Sequence, residues 1–365
     1  MERGAAAPAS LIVIAAAVVA LLGGGVLLGI TRHAGSSRRT AAPASPLLST
    51  APTLPPTTAA APQRCPLSGM PPSGGVVPQR PALAIKVDNY PAARPQSGLN
   101  QADVIFEEPI EAGITRLIAV FQCQGAALVG SIRSARAVDA SILDELSKPI
   151  FMHVGAIAPV SWIIQQADVL DEDLSRHAYL AQSPPGRNAP YDTYISTSAG
   201  WALHPEDSVA PAPIFSYSTS PSATGAVTSV HIPYSPTNDN TWTWEGRTQR
   251  WLLSYRGVPA RAADGDDIGA TNVVVETVQV TYGPWTEDIQ RDPEVQSQLL
   301  GSGPATVFSA GGATVGTWQR PSLAEPTHLI GPDGTTIALQ PGETWVEVVP
   351  ANVGVTTSPP SSAGT

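Results

Sequence analysis

Two glutamates, three arginines and a histidine within some fifty residues of this 365-residue chain are the residue types from which binding and catalytic sites are made. Glu107 and Glu111 flank Pro109. A carboxylate pair at a cleft is the acid/base equipment of glycoside hydrolysis, so these two are the candidate catalytic residues. Their even spacing puts both on one face of a strand unless Pro109 breaks it. Arg116, Arg133 and Arg136 follow, and guanidinium forks hold carboxylate or phosphate in a planar, bidentate way that lysine does not copy. They point to an anionic ligand, with Thr115 and Ser134 beside them as ligand-binding hydroxyls. His153 closes an apolar run at the expected C-terminal end of a strand, where open α/β sheets hold ligands. Each residue also has a structural alternative. The arginines can pair with Asp103, Glu107 and Glu111, the serines can cap the helix that follows, and the histidine can be buried and hydrogen-bonded.

Other chemistries find little footing. Ser134 lacks the Gly-x-Ser-x-Gly elbow of an activated nucleophile. His33, His177, His204, His231 and His328 are scattered without metal-ligand spacing, and no phosphate loop or dinucleotide fingerprint occurs, so no metal and no cofactor is expected. Asp264-Gly265-Asp266-Asp267 lacks the alternating ligands and closing glutamate of a calcium loop and reads as a turn. A net charge of −10 with two lysines argues against nucleic acid.

The elements that must position these residues are legible as strands near 82–88, 102–109, 114–122 and 149–154. A helix over Asp139–Ser147 carries Ile142, Leu143 and Leu146 at helical spacing, and a second covers Val160–Ala167 after Pro159. Residues 168–188 have little periodicity and read as a surface excursion or lid. Beyond about Pro211 the chain turns to short β-rich runs separated by Gly-containing turns: 227–232, 241–244, 250–255, 271–282, 305–308, 314–318 and 344–349. Trp242, Trp244, Trp251, Trp318 and Trp345 fall in this half, either as core between sheets or as a sugar-stacking platform. The fold class is α+β, a mixed α/β N-terminal subdomain over 65–210 followed by a mainly antiparallel β subdomain over 211–352. The sheet strands place charges beside β-formers, which is costly unless the charges pair or face a cleft.

Leu11–Ile30 is an unbroken apolar run long enough, at ~1.5 Å per residue, to cross a bilayer core of ~30 Å. It exceeds the ~7–15-residue apolar region of a cleaved signal peptide, so residues 1–40 are read as a membrane anchor with its flanks. Residues 41–64 form an Ala/Pro/Ser/Thr-rich tether, and 353–365 a disordered tail. Arg32, Arg38 and Arg39 after the span oppose an exported body by the positive-inside rule, which long downstream domains commonly escape. Cys65 and Cys123 leave two readings open, one disulfide in an oxidising compartment or two buried thiols.

Several segments together resemble one family: Arg80-Pro81-Ala82-Leu83-Ala84, Ala93-Arg94-Pro95-Gln96-Ser97-Gly98-Leu99, Glu111-Ala112-Gly113-Ile114-Thr115-Arg116, Gly130-Ser131-Ile132-Arg133-Ser134-Ala135-Arg136 and Pro341-Gly342-Glu343-Thr344-Trp345. The chain resembles the YerB-like lipoproteins, domain of unknown function 3048, over about 65–350. That resemblance implies a bacterial protein at the outer face of the cytoplasmic membrane, with paired N- and C-terminal domains and no established activity. Two departures stand out. No cysteine precedes Cys65 to take a lipid, and the family-like Ala-Pro-His-Asn segment is here Ala189-Pro190-Tyr191-Asp192. The resulting expectation is a membrane-tethered envelope protein that binds an anionic cell-envelope ligand or a protein partner. The alternative is an envelope hydrolase or transferase acting on glycan or peptide through Glu107 and Glu111.

Overall fold

The structure, a computed structural model, describes residues 63–221, 225–287 and 291–359. The predicted span Leu11–Ile30 and tether residues 41–62 lie outside the described residues. Among the described residues no helix is long and apolar enough to cross a membrane.

Strands β1 (Leu83–Asp88), β2 (Val104–Pro109) and β3 (Thr115–Phe121) form as the apolar runs indicate, and every residue in them is buried. Helix α1 (Ala137–Leu143), strand β4 (Ile150–His153) and helix α2 (Ala158–Gln166) follow. The segment expected as a surface excursion instead begins with a strand, β5 (Leu170–Asp173), which pairs in parallel with β4. Its acidic sequence, Leu-Asp-Glu-Asp, hides the pattern because it is an edge strand with no apolar face to advertise. The C-terminal half supplies β6 (Ser229–Pro233), β7 (Asp239–Glu245), β8 (Arg250–Tyr255), β9 (Val258–Pro259) and β10 (Asn272–Val278). Then come β11 (Val280–Thr286), β12 (Pro293–Ser297), β13 (Gly301–Ser309), β14 (Gly312–Arg320), β15 (His328–Ile330), β16 (Thr344–Pro350) and β17 (Thr356–Ser358). The single run expected over 271–282 is thus two strands in different sheets, and residues 356–358 of the expected tail form an edge strand.

One large sheet runs β15-β14-β13-β10-β16-β2-β3-β1-β4-β5. The two halves of the chain meet inside it, where β2 and β16 pair in parallel with Val104 opposite Thr344 and Glu107 opposite Glu347. A smaller sheet runs β9-β8-β7-β6-β17, and β11 with β12 makes a separate hairpin. Ile105, Leu117, Ala119, Val273 and Trp345 face the smaller sheet and pack against Trp242, Trp251, Leu253 and Tyr255. Val104, Phe106, Ile118, Val120, Val274 and Val346 face the other way, onto Val138, Ile142, Leu143, Val160 and Ile164 of the two helices. The sheet centre is therefore covered on both faces, which is why its strands read as continuous rather than alternating apolar runs. The tryptophans of the β-rich half fill the core: Trp242 and Trp345 meet edge to face at 5.1 Å, and Trp251 meets Phe308 at 5.7 Å. The molecule is mostly strand, with few helices, and is compatible with the α+β class.

Candidate functional site

Strand register divides the predicted residues between two faces. In the β2–β3 pair Glu107 lies opposite Leu117, Glu108 opposite Arg116 and Pro109 opposite Thr115. Side chains alternate along each strand, so Glu107 and Thr115 point toward the smaller sheet, whereas Glu108 and Arg116 point toward the helices.

On the first face Glu107 is fully enclosed. Its Oε1 accepts from Thr115 Oγ1 at 2.7 Å and Asn89 Nδ2 at 3.0 Å, and its Oε2 accepts from Trp345 Nε1 at 3.2 Å. Thr115 in turn accepts from Asn238 Nδ2 at 2.8 Å. Glu347, its register partner, accepts from Trp242 Nε1 at 2.6 Å and from the Tyr234 hydroxyl at 2.9 Å. Burial raises the pKa of both carboxyls above the ordinary range, and for Glu347 the neighbouring Glu107 adds to the rise. Two carboxyls in adjacent strands, ringed by neutral donors, form an interior polar layer that joins the halves of the chain.

The second face holds the ion pairs. Lys86 of β1 is enclosed between Glu108, which it contacts directly, and Asp139 of α1 at 2.5 Å. Arg136 precedes α1, and its guanidinium is forked on Glu111 through Nε and through an Nη–Oε2 bond of 2.9 Å, with Glu287 at 3.3 Å on its other side. Burial works against the Arg136 charge, but Glu111, with Glu287 and Asp139, more than compensates and the pKa is raised. Glu287 and Glu294 arrive on the β11–β12 hairpin. Glu294 accepts from the Ala137 backbone N–H at 2.8 Å, at the first turn of α1, while burial pushes the Glu287 carboxyl up to about 7. Asp139 accepts from the Arg136 N–H at 2.8 Å, so a carboxylate, not the predicted serines, caps this helix.

Arg116 sits at the centre of this face. One Nη donates to the Ser134 carbonyl at 2.8 Å, and its buried Nε finds no acceptor among the described residues. Burial, followed by the nearby Arg136 charge, lowers its pKa to about 10. Ser134 contributes its carbonyl here, while Ser131 Oγ is buried without a partner among the described residues. Arg133 pairs with Asp88 at 3.0 Å yet keeps 27% of its side chain exposed, donates to the Pro190 carbonyl at 3.2 Å and lies 5.7 Å over the Tyr191 ring. Tyr191 stacks on Tyr90 at 6.5 Å. The Gly130–Arg136 turn therefore gathers Arg116, Arg133 and Arg136, as their sequence clustering anticipates. Glu107 and Thr115 are left across the sheet from them.

His153 is buried, with Nε2 at 2.8 Å from Asp171 and Nδ1 at 3.0 Å from the Gly155 carbonyl. Burial opposes its charge, but the Asp171 contact wins and the pKa is raised. The predicted pairing of arginine with Asp103 does not form. Asp103 accepts instead from the backbone N–H groups of Gln122 at 2.7 Å and Cys123 at 3.1 Å. Cys65 and Cys123 are disulfide-bonded, with Cα atoms 5.9 Å apart. Sequence reasoning missed Lys86, Asp139, Glu287, Glu294 and Glu347. Only Lys86 carried a signal, as one of two lysines, set inside an apolar run.

Comparison with known proteins agrees with this architecture. Residues 67–209 match the family described as "Protein of unknown function (DUF3048) N-terminal domain", and residues 230–346 match its C-terminal domain. A relative from Bacillus subtilis (strain 168), "Putative lipoprotein YerB", is 26% identical over 303 residues, covering 79% of this chain and 86% of the relative. The crystal structure of the Bacillus subtilis YerB protein superposes with a TM-score of 0.69 at 21% identity, over 80% of this chain and 99% of that one. Both family domains are thus present, in order and joined through one sheet, and the chain belongs to the YerB-like DUF3048 family.

Proposed function

We propose that this chain is a membrane-tethered, extracytoplasmic envelope protein that binds an anionic envelope ligand at the arginine cluster and does not turn it over. The observation that carries the reading is Arg116, a buried guanidinium with an unpartnered Nε, lying behind the half-exposed Arg133 and beside Arg136. An uncompensated buried donor is costly, and an incoming carboxylate or phosphate would satisfy it. The enzyme alternative has weaker support, because Glu107 is enclosed and held by three donors and Glu111 is occupied by Arg136. The disulfide fits an oxidising compartment. The relative is named a lipoprotein, and here the apolar run Leu11–Ile30 would serve in place of a lipid. Binding of the full-length protein to purified cell-wall sacculi tests the reading. Arg133→Ala should weaken retention by about 2–5 kcal/mol, with wild-type and Glu107→Gln proteins retained alike and no fragments released. Unchanged retention by Arg133→Ala would refute it, and fragment release abolished by Glu107→Gln or Glu111→Gln would favour the enzyme.

A further inference from the structure

A concavity of about 730 Å³ lies between the turn that follows β1 and the edge strand β9, with Tyr90, Arg94, Gln96, Tyr255, Arg256 and Val258 among its walls. That volume falls within the ~300–1,000 Å³ of small-ligand pockets. Arg94 is preorganised: its guanidinium lies 3.4 Å over the Tyr255 ring, its Nε donates to Asn89 Oδ1 at 3.2 Å and one Nη donates to the Asn89 carbonyl at 2.8 Å. Arg256 stands exposed at the rim. Neither has an ion-pair partner among the described residues, whereas the adjacent Arg261 is paired with Asp267 at 3.3 Å. Two guanidiniums without a direct ion pair in one hollow stand out on a chain of net charge −10.

Gln96 supplies the second, independent observation. Its side chain is fully enclosed, and Nε2 is committed to the Asp88 carbonyl at 3.1 Å and Asn89 Oδ1 at 3.0 Å, which also settles which end of the amide is nitrogen. Oε1 is left without a donor among the described residues. The hollow thus offers two cationic forks and one buried acceptor, beside apolar surface on Tyr90, 42% exposed, and Val258, 66% exposed. Carboxylate or phosphate suits the forks, a hydroxyl suits the acceptor, and the apolar face of a pyranose ring suits the Tyr90 ring.

We propose that this hollow, separate from the arginine cluster of Arg116, Arg133 and Arg136, is a binding site for an acidic saccharide, a pyranose bearing a carboxylate or a phosphate. The charged group sits between Arg94 and Arg256, a ring hydroxyl donates to Gln96 Oε1, and the ring packs on Tyr90.

Calorimetry with the full-length protein and glucuronate, glucose 1-phosphate, glucose and inorganic phosphate tests this. Glucuronate or glucose 1-phosphate should bind, and the stronger of the two identifies the anionic group. Glucose and inorganic phosphate should each bind roughly tenfold or more weakly, since each lacks one half of the recognition. Arg256→Glu at the exposed rim should weaken the acidic sugar by about tenfold or more, Tyr90→Ala should weaken it to a smaller extent, and Arg247→Glu, on the exposed turn between β7 and β8, should leave it unchanged. Phosphate binding as well as glucose 1-phosphate would reduce the hollow to a simple anion site and overturn the proposal. So would glucose binding as well as glucuronate, no heat with either acidic sugar, or undiminished binding by the folded Arg256→Glu protein.

Discussion

Glu276 lies in β10, in the middle of the large sheet, opposite Ala305 on one side and Val348 on the other. It is 6% exposed, and burial, then the nearby Glu145, raises its pKa from the ordinary 4.5 to about 8 despite Arg320. Between those two values the folded protein keeps a proton that the unfolded chain has released, so the folded state binds more protons and stability falls as pH rises. At pH 7, 2.5 units above the unfolded-state value, ~1.36 kcal/mol per unit amounts to about 3 kcal/mol lost to this one carboxyl. Glu276→Gln keeps the shape and removes the ionisation. It should therefore stabilise the protein by up to about 3 kcal/mol at pH 7 but by less than about 1 kcal/mol at pH 5, only half a unit above the unfolded-state value of 4.5. Urea unfolding of both proteins at the two pH values measures the difference. A Gln variant with no gain at pH 7, or with the same gain at pH 5, would show that the carboxyl is not held neutral by the fold.

Other perturbations separate the two faces of the sheet. Lys86→Met leaves Glu108 and Asp139 as buried carboxyls without their cation and should cost about 3–5 kcal/mol; joint replacement with Glu108→Gln and Asp139→Asn should recover much of that in urea unfolding, and no recovery would mean the loss was one of packing. Glu287, raised to about 7 mainly by burial and set among Arg136, Glu111, Glu294 and Arg116, favours the closed β11–β12 hairpin in its protonated form. Amide exchange in that hairpin, corrected for intrinsic rates, should therefore slow as pH falls from 8 to 6, and exchange indifferent to pH would contradict the assignment. Reducing Cys65–Cys123, 58 residues apart, should lower stability by roughly 4 kcal/mol, read as a shift in the urea midpoint between oxidised and reduced protein.

What was legible in the sequence depended on how local its cause was. Strands β1, β2 and β3 announce themselves because both faces are covered and apolar residues fall on consecutive positions. The same coverage explains why their few charges looked like one site. Whether Glu107 and Arg116 share a face is decided by the β2–β3 register alone, and a slip of one residue would have put them together. The parallel pairing of β2 with β16 joins residues some 240 positions apart, and no local pattern reports it. The carboxylates of the β11–β12 hairpin were equally invisible, because they complete the arginine cluster from the other half of the chain.

That division bears directly on where ligands bind. Charges on the regular strands are spent inside the molecule: Lys86 with Glu108 and Asp139, and Glu107 among Asn89, Thr115 and Trp345. Arg94 and Arg256, which have no ion-pair partner among the described residues, stand in loops, and Arg116, whose Nε finds no acceptor there, stands at the start of β3, beside the partly exposed Arg133. A strand interior holds its side chains in a fixed, desolvated frame where an unpaired charge is costly. Loop positions at the strand ends can keep a charge available, because water screens it until a ligand replaces the water. On the proposed reading, recognition belongs to the turns after β1 and before α1 and to Arg116 at the start of β3, whereas Glu107 and Glu347 belong to the joint that holds the two halves of the chain in one sheet.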